Sequence, residues 1–138
     1  MSKKQFYTLS WTWGFITSFI GLCISIVLLV TKHKPQKWGY SWYFEVGKGG
    51  DGFSCGPFFF VGPRASDSTK NHEFGHGIQN TKYGPAMLFI IAASVIRYWY
   101  REYLHYVCNV KYSDMPSYDS AWWEGDATML GTDYITKI

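Results

Sequence analysis

From Gln5 to Thr31 the chain carries no charged residue, and within that stretch Leu9 to Val30 is dominated by Trp, Phe, Ile, Leu and Val. No other feature restricts the fold as tightly. The apolar part is 22 residues long. As a helix it would measure about 33 Å, enough to cross the hydrocarbon core of a bilayer. Trp11 and Trp13 fall where an interfacial aromatic belt would lie. The run is too long for the apolar core of a signal peptide, and no small-x-small cleavage pattern follows it. Ile20-Gly21-Leu22-Cys23 departs from a lipoprotein signal because Leu22 is bulky. The expectation is an uncleaved transmembrane anchor over residues 1–34, making the chain an integral membrane protein with the lipid bilayer as a partner. Lys3 and Lys4 before the run and Lys32, Lys34 and Lys37 after it nearly balance, so the orientation stays undecided.

The remaining residues, 35–138, suffice for one small domain. Trp38 to Val46 is aromatic and β-branched, as strands are. The spacing predicts a β-hairpin, with Gly47 to Gly52 as the turn and Phe53 to Val61 as the returning strand, interrupted by a bulge or edge position at Gly56-Pro57. The glycine cluster lacks the spacing of a phosphate loop. An edge strand here can simply pack over its neighbour or hold an extended peptide by β-augmentation.

His72-Glu73-Phe74-Gly75-His76 matches H-E-x-x-H. On a helix the two histidines, four apart, share one face, and their imidazoles can bind one tetrahedral metal, most often zinc. Glu73 then lies beside that metal, where a carboxylate can take a proton from bound water. Ser66, Asp67 and Ser68 are N-cap candidates, and Gly84-Pro85 marks the stop. Gln79 follows His76 by three residues on the same side, either solvated or supporting a ligand.

A second apolar run, Pro85 to Ile96, is too short to cross a bilayer by itself and continues as a helix over about 85–106. Ser94, Arg97, Arg101 and His105 line one face of it. A third metal ligand must come from beyond the H-E-x-x-H helix. Glu124, on a helix from about Ser120 to Gly131, is the preferred candidate and His105 the competing one. Glu124 can reach the histidines only if the chain returns to their level after the second run.

H-E-x-x-H followed by a distant helix with Glu124-Gly125-Asp126-Ala127 resembles the gluzincin type of zinc metallopeptidase, the thermolysin-like arrangement. The resemblance implies that His72, His76 and Glu124 are ligands of Zn2+, that Glu73 is the general base, and that zinc-bound water is the nucleophile. The longer pattern H-E-F-G-H-x-x-Q-x-x-x-x-G-P is also similar to small membrane-bound peptidases. One departure stands out: such enzymes carry an aspartate four positions after the glutamate ligand to orient a histidine, and this chain has Thr128 there. Asp126 is close in sequence but on another face.

These readings converge on a mainly α membrane protein: an anchor, a small hairpin, the H-E-x-x-H helix, a short apolar helix and a C-terminal helix carrying Glu124. The expected function is that of a membrane-anchored zinc metallopeptidase acting on peptide or protein substrates. Two alternatives remain open. One is a non-enzymatic membrane interaction protein with a structural or vestigial metal site. The other is an intramembrane protease of the site-2 type, using Asp126 or Asp133, although Asp67, Lys70, Asn71, Asn80 and Lys82 make its metal-binding helix too polar. A net charge of +3 from scattered basic residues argues against nucleic acid as a partner. The oligomeric state leaves no trace in the sequence.

Overall fold

The computed structural model describes residues 1–138. Two helices, α1 (Lys3–Trp11) and α2 (Phe15–Val30), lead into four strands, β1 (Gln36–Trp38), β2 (Ser41–Glu45), β3 (Gly52–Cys55) and β4 (Phe58–Val61). Helices α3 (Asp67–Tyr83), α4 (Met87–Tyr106) and α5 (Trp122–Lys137) follow.

The apolar N-terminal run is not one helix. It breaks at Thr12-Trp13-Gly14, and α1 and α2 are bent by 95°. No single helix in the chain is long and apolar enough to cross a membrane. The expected transmembrane anchor over 1–34, and the integral membrane protein of mainly α class built on it, are therefore corrected. The cause lies in the small polar residues that interrupt the run. Asn80 of α3 donates to the Gly14 carbonyl and to the Ser18 hydroxyl, both at 3.3 Å, and the Trp13 indole donates to the Lys82 carbonyl at 3.1 Å. Gly14 permits this approach, because a Cβ there would lie 2.3 Å from Asn80 Nδ2. Ser10, Thr17, Ser18 and Ser25 are buried, while Phe15, Phe19, Val27 and Val30 are exposed. The polar side of the run is thus its packed side. Phe6 is wholly buried in one core with Tyr43, Phe59, Val61, Phe74, Ile78 and Leu130, so residues 1–34 share the core of the rest.

The strands form one mixed sheet in the order β1-β2-β4-β3 in place of the expected hairpin. β2 and β4 pair in parallel, Trp42 with Phe58 through Glu45 with Val61, and β3 pairs antiparallel with β4. The tight turn is at Gly56-Pro57, where Gly56 has φ +63°. Gly47 to Gly52, expected as the turn, instead carries the chain to the far edge, and Gly52 already opens β3. Tyr43 stacks on Phe59 and Phe44 packs against Phe60 across the parallel pair, which ties the register to the aromatic core. β3 is an edge strand and runs beside α3.

α3 starts at Ser66, whose hydroxyl accepts from the Thr69 amide at 3.2 Å, and ends at Gly84 with φ +54°. Every residue from His72 to Thr81 is buried, although His72, Glu73, His76, Gln79, Asn80 and Thr81 are polar. A helix so polar stays buried only where its side chains find partners.

Candidate metal centre

α3 and α5 touch backbone to backbone. A Cβ at Gly75 would lie 1.8 Å from the Ala127 carbonyl oxygen, and one at Gly131 would lie 1.6 Å from that of Asn71. Only glycine at these two points lets the helices come so close. The approach sets Glu124, one turn before Ala127 on α5, over the two histidines that flank Gly75.

Three atoms converge there. Glu124 Oε2 lies 2.9 Å from His72 Nε2 and 3.3 Å from His76 Nε2, and the two Nε2 atoms are 3.2 Å apart. Three ligand atoms around a tetrahedral zinc, each about 2.0–2.1 Å from it, are about 3.3–3.4 Å from one another. The observed triangle is close to that size, and these residues form a group able to hold a metal ion. Glu124 is completely buried.

Hydrogen bonding at the outer nitrogens decides what the inner ones offer. The Thr128 hydroxyl donates to Asp119 Oδ2 at 2.8 Å, so toward His72 Nδ1, 2.7 Å away, it can only accept. The Gln79 amide nitrogen donates to the Trp123 carbonyl at 2.8 Å and to Asp126 Oδ2 at 2.9 Å. That orientation turns Gln79 Oε1 toward His76 Nδ1, at 2.8 Å, again as acceptor. Both imidazoles thus keep a proton on Nδ1, so that each Nε2 is the atom turned to the carboxylate, which it can meet through a proton or through a metal ion. Two Nε2 atoms 3.2 Å apart that face one carboxylate are satisfied either by a proton carried on one of them or by a shared metal ion. The donor set of two imidazoles and a carboxylate suits zinc.

Glu124 is held from its other side. Its Oε1 accepts from the Ser94 hydroxyl at 2.6 Å, and Ser94 accepts from the Trp123 indole at 3.0 Å. Burial opposes charge on Glu124, but its hydrogen bonds with His72, His76 and Ser94 outweigh this and hold the carboxyl well below the usual range. Burial likewise opposes charge on His76, yet the Glu124 hydrogen bond and the carboxylates of Glu73 and Glu124 raise its pKa on balance.

Glu73 stands apart from this network. Its side chain is buried, and Oε2 has no hydrogen-bond partner. Burial pushes its pKa up, His76 and His72 pull the other way, and Glu124 adds to the rise. Glu73 forms part of the walls of two cavities, of about 390 and 400 Å³. His76 borders the first and His72 the second.

Tyr118 borders both cavities and has no counterpart in the sequence reading. It follows α4 on a loop that Arg97 and Arg101 tie down: Arg97 donates to the carbonyls of Tyr118 and Ser117 at 2.7 and 2.9 Å, and Arg101 donates to that of Pro116 at 2.5 Å. Burial, then the nearby carboxylates of Glu124 and Glu73, raise the phenol, which stays protonated and able to donate. This loop also brings the chain back after α4, so that α5 lies beside α3.

The other candidates lie elsewhere. His105 Nδ1 pairs with the Val110 carbonyl at 3.0 Å and its ring stacks on Tyr112, so it is not part of the cluster. Asp133 pairs with Lys137 at the surface. Asp126 meets Gln79, and Thr128, at the position where an aspartate was expected, reaches His72 and passes the contact to Asp119. Asp119, Ser94 and Tyr118 carry no local motif; only the polar stripe that includes Ser94 hinted at one of them. No protein family, curated protein or solved structure was found to match this chain.

Proposed function

We propose that the chain is a zinc-dependent peptidase. The observation that carries the reading is the convergence of Nε2 of His72, Nε2 of His76 and Oε2 of Glu124 on one point, beside the buried Glu73, whose Oε2 has no partner. His72, His76 and Glu124 would hold the ion. When bound, zinc supplies Lewis-acid polarisation of a carbonyl and makes water more acidic.

The chain's own groups do the rest. Glu73, made more basic by burial and with an oxygen free, accepts the proton of the attacking water and returns it to the departing amine. Tyr118 donates its protonated hydroxyl toward negative charge developing on the substrate oxygen. Thr128 and Gln79 keep the two imidazoles in the tautomer that leaves Nε2 open. The cavities on either side of Glu73 provide room for the chain on both sides of a scissile bond.

The test is metal analysis together with hydrolysis of a peptide mixture. Purified protein should bind about one zinc per chain. Glu73→Gln should keep that zinc and lose at least about a hundredfold in hydrolysis, the usual weight of a general base. Absence of zinc after reconstitution, or loss of metal in Glu73→Gln, would refute the assignment.

A further inference from the structure

In the apolar run from Pro85 to Ile96, Ser94 is the one polar side chain. A serine inside a helix can give its proton to the carbonyl four residues back. Ser94 gives it away from its own helix. Its hydroxyl donates to Glu124 Oε1 at 2.6 Å, the short distance of a hydroxyl on a charged carboxylate. Trp123 fixes the direction of this bond, because its indole can only donate and reaches the Ser94 oxygen at 3.0 Å. Trp123 is held at its other end too, where its carbonyl accepts from Gln79, the partner of His76. The supports of Glu124 and His76 thus join at one residue.

The two oxygens of Glu124 therefore have separate duties. Oε2 lies near both Nε2 atoms, at 2.9 and 3.3 Å, while Oε1 is turned to α4. Glu124 is completely buried, so an Oε1 deprived of Ser94 meets no solvent, and a buried acceptor without a donor is costly. What remains to satisfy it is the metal ion, bound then by both oxygens. That would fill the position a catalytic zinc keeps for water. Resting on the zinc-peptidase reading, we infer that Ser94 is a positioning residue: by holding Oε1 it limits Glu124 to one metal-binding oxygen and keeps the fourth position open. Helix α4, which carries no ligand, thereby takes part in the centre.

Cobalt(II) tests this without turnover, since it enters sites of imidazole and carboxylate and its visible absorption separates four-coordinate from five-coordinate geometry. The wild-type chain loaded with cobalt should show the strong bands of a four-coordinate site, three protein ligands and water. Losing a support of this kind costs about 10–100-fold in affinity, so Ser94→Ala is loaded with cobalt in excess and should still hold the metal. Its bands should lose intensity and shift to those of a five-coordinate site. Ser94→Val should do the same, whereas Ser94→Thr, of valine's shape but with the hydroxyl, should restore the wild-type spectrum. Ser94 is only partly buried and alanine favours helix, so Ser94→Ala removes the bond without disturbing α4. Unchanged bands in Ser94→Ala or Ser94→Val, no rescue by Ser94→Thr, five-coordinate bands in the wild type, or loss of cobalt from Ser94→Ala would overturn the inference. Each of these leaves the peptidase reading standing if the wild-type zinc protein hydrolyses peptides. If the expected shifts are seen and the wild-type zinc protein hydrolyses none, the role of Ser94 stands and the peptidase reading falls. A wild-type chain that takes up no cobalt ends both.

Discussion

The hydroxyl of Thr128 accepts a hydrogen bond from Nδ1 of His72 at 2.7 Å and donates its own proton to Asp119 at 2.8 Å. The link does from two residues what a single carboxylate does when it bonds a ligand histidine directly. Thr128→Ala should therefore weaken zinc binding by about 10–100-fold, the usual cost of losing such a contact. Thr128→Ser, which keeps the hydroxyl, should restore most of it. Competition with a fluorescent zinc chelator measures both. An unchanged affinity in Thr128→Ala would remove the link from the account of the site.

Glu124 contributes one oxygen to the cluster and the other to Ser94. Glu124→Ala should deplete zinc far more than any neighbouring change. Asp126→Ala acts only through Gln79 and should cost about 10–100-fold in affinity. His105→Ala and Asp133→Ala should leave zinc content as it is, since these side chains are occupied elsewhere. Zinc retained in full by Glu124→Ala would exclude Glu124 as a ligand.

Gly75 is the residue between the two histidines that lets α5 approach. In an exposed helix, Gly→Ala would stabilise by about 0.5–1 kcal/mol. Here the added methyl would sit 1.8 Å from the Ala127 carbonyl oxygen, a backbone atom that cannot turn aside. Overpacking of this kind costs about 1–3 kcal/mol or more. Gly75→Ala should lower Tm and, by moving Glu124 away from the histidines, reduce zinc affinity as well. A raised Tm would show that the helices are not in contact there.

How far the sequence discloses this depends on the range of the signal. His72 and His76 share a face through local helical spacing, and the Ser66 cap and the Gly84 stop are likewise local. Their positions are legible before any fold is known. Glu124 is legible only through its resemblance to a known arrangement, because nothing near it in sequence points at α3. Asp119, Ser94 and Tyr118 acquire their places from the return of the chain after α4, and no short-range pattern encodes that. The sheet order is not legible locally, because Gly47 to Gly52 and Gly56-Pro57 carry equivalent turn signals; the parallel pairing of β2 with β4 is decided by Tyr43 and Phe59 meeting in the core. The N-terminal run is ambiguous for a related reason. Its apolar count is high enough for a span, but Ser10, Gly14, Thr17 and Ser18 form the side that packs, and hydropathy averages over the sides of a helix.

That last correction can be tested at the bend itself. Asn80 is fully buried, and its amide nitrogen is shared between the Gly14 carbonyl and the Ser18 hydroxyl. Asn80→Ala removes both hydrogen bonds and should destabilise the protein by about 1–3 kcal/mol. Gly14→Ala places a methyl 2.3 Å from Asn80 Nδ2 and should destabilise by a similar amount through overpacking. Gly14 has φ −96°, which alanine adopts without strain, so the clash is the only obstacle. Once Asn80 is shortened to alanine the new methyl has room. The double variant should then be more stable than the sum of the two single losses predicts, by about 0.5–3 kcal/mol in a denaturant-based cycle. Strict additivity would mean that Gly14 and Asn80 are not in contact, and that the first two helices do not bend against α3.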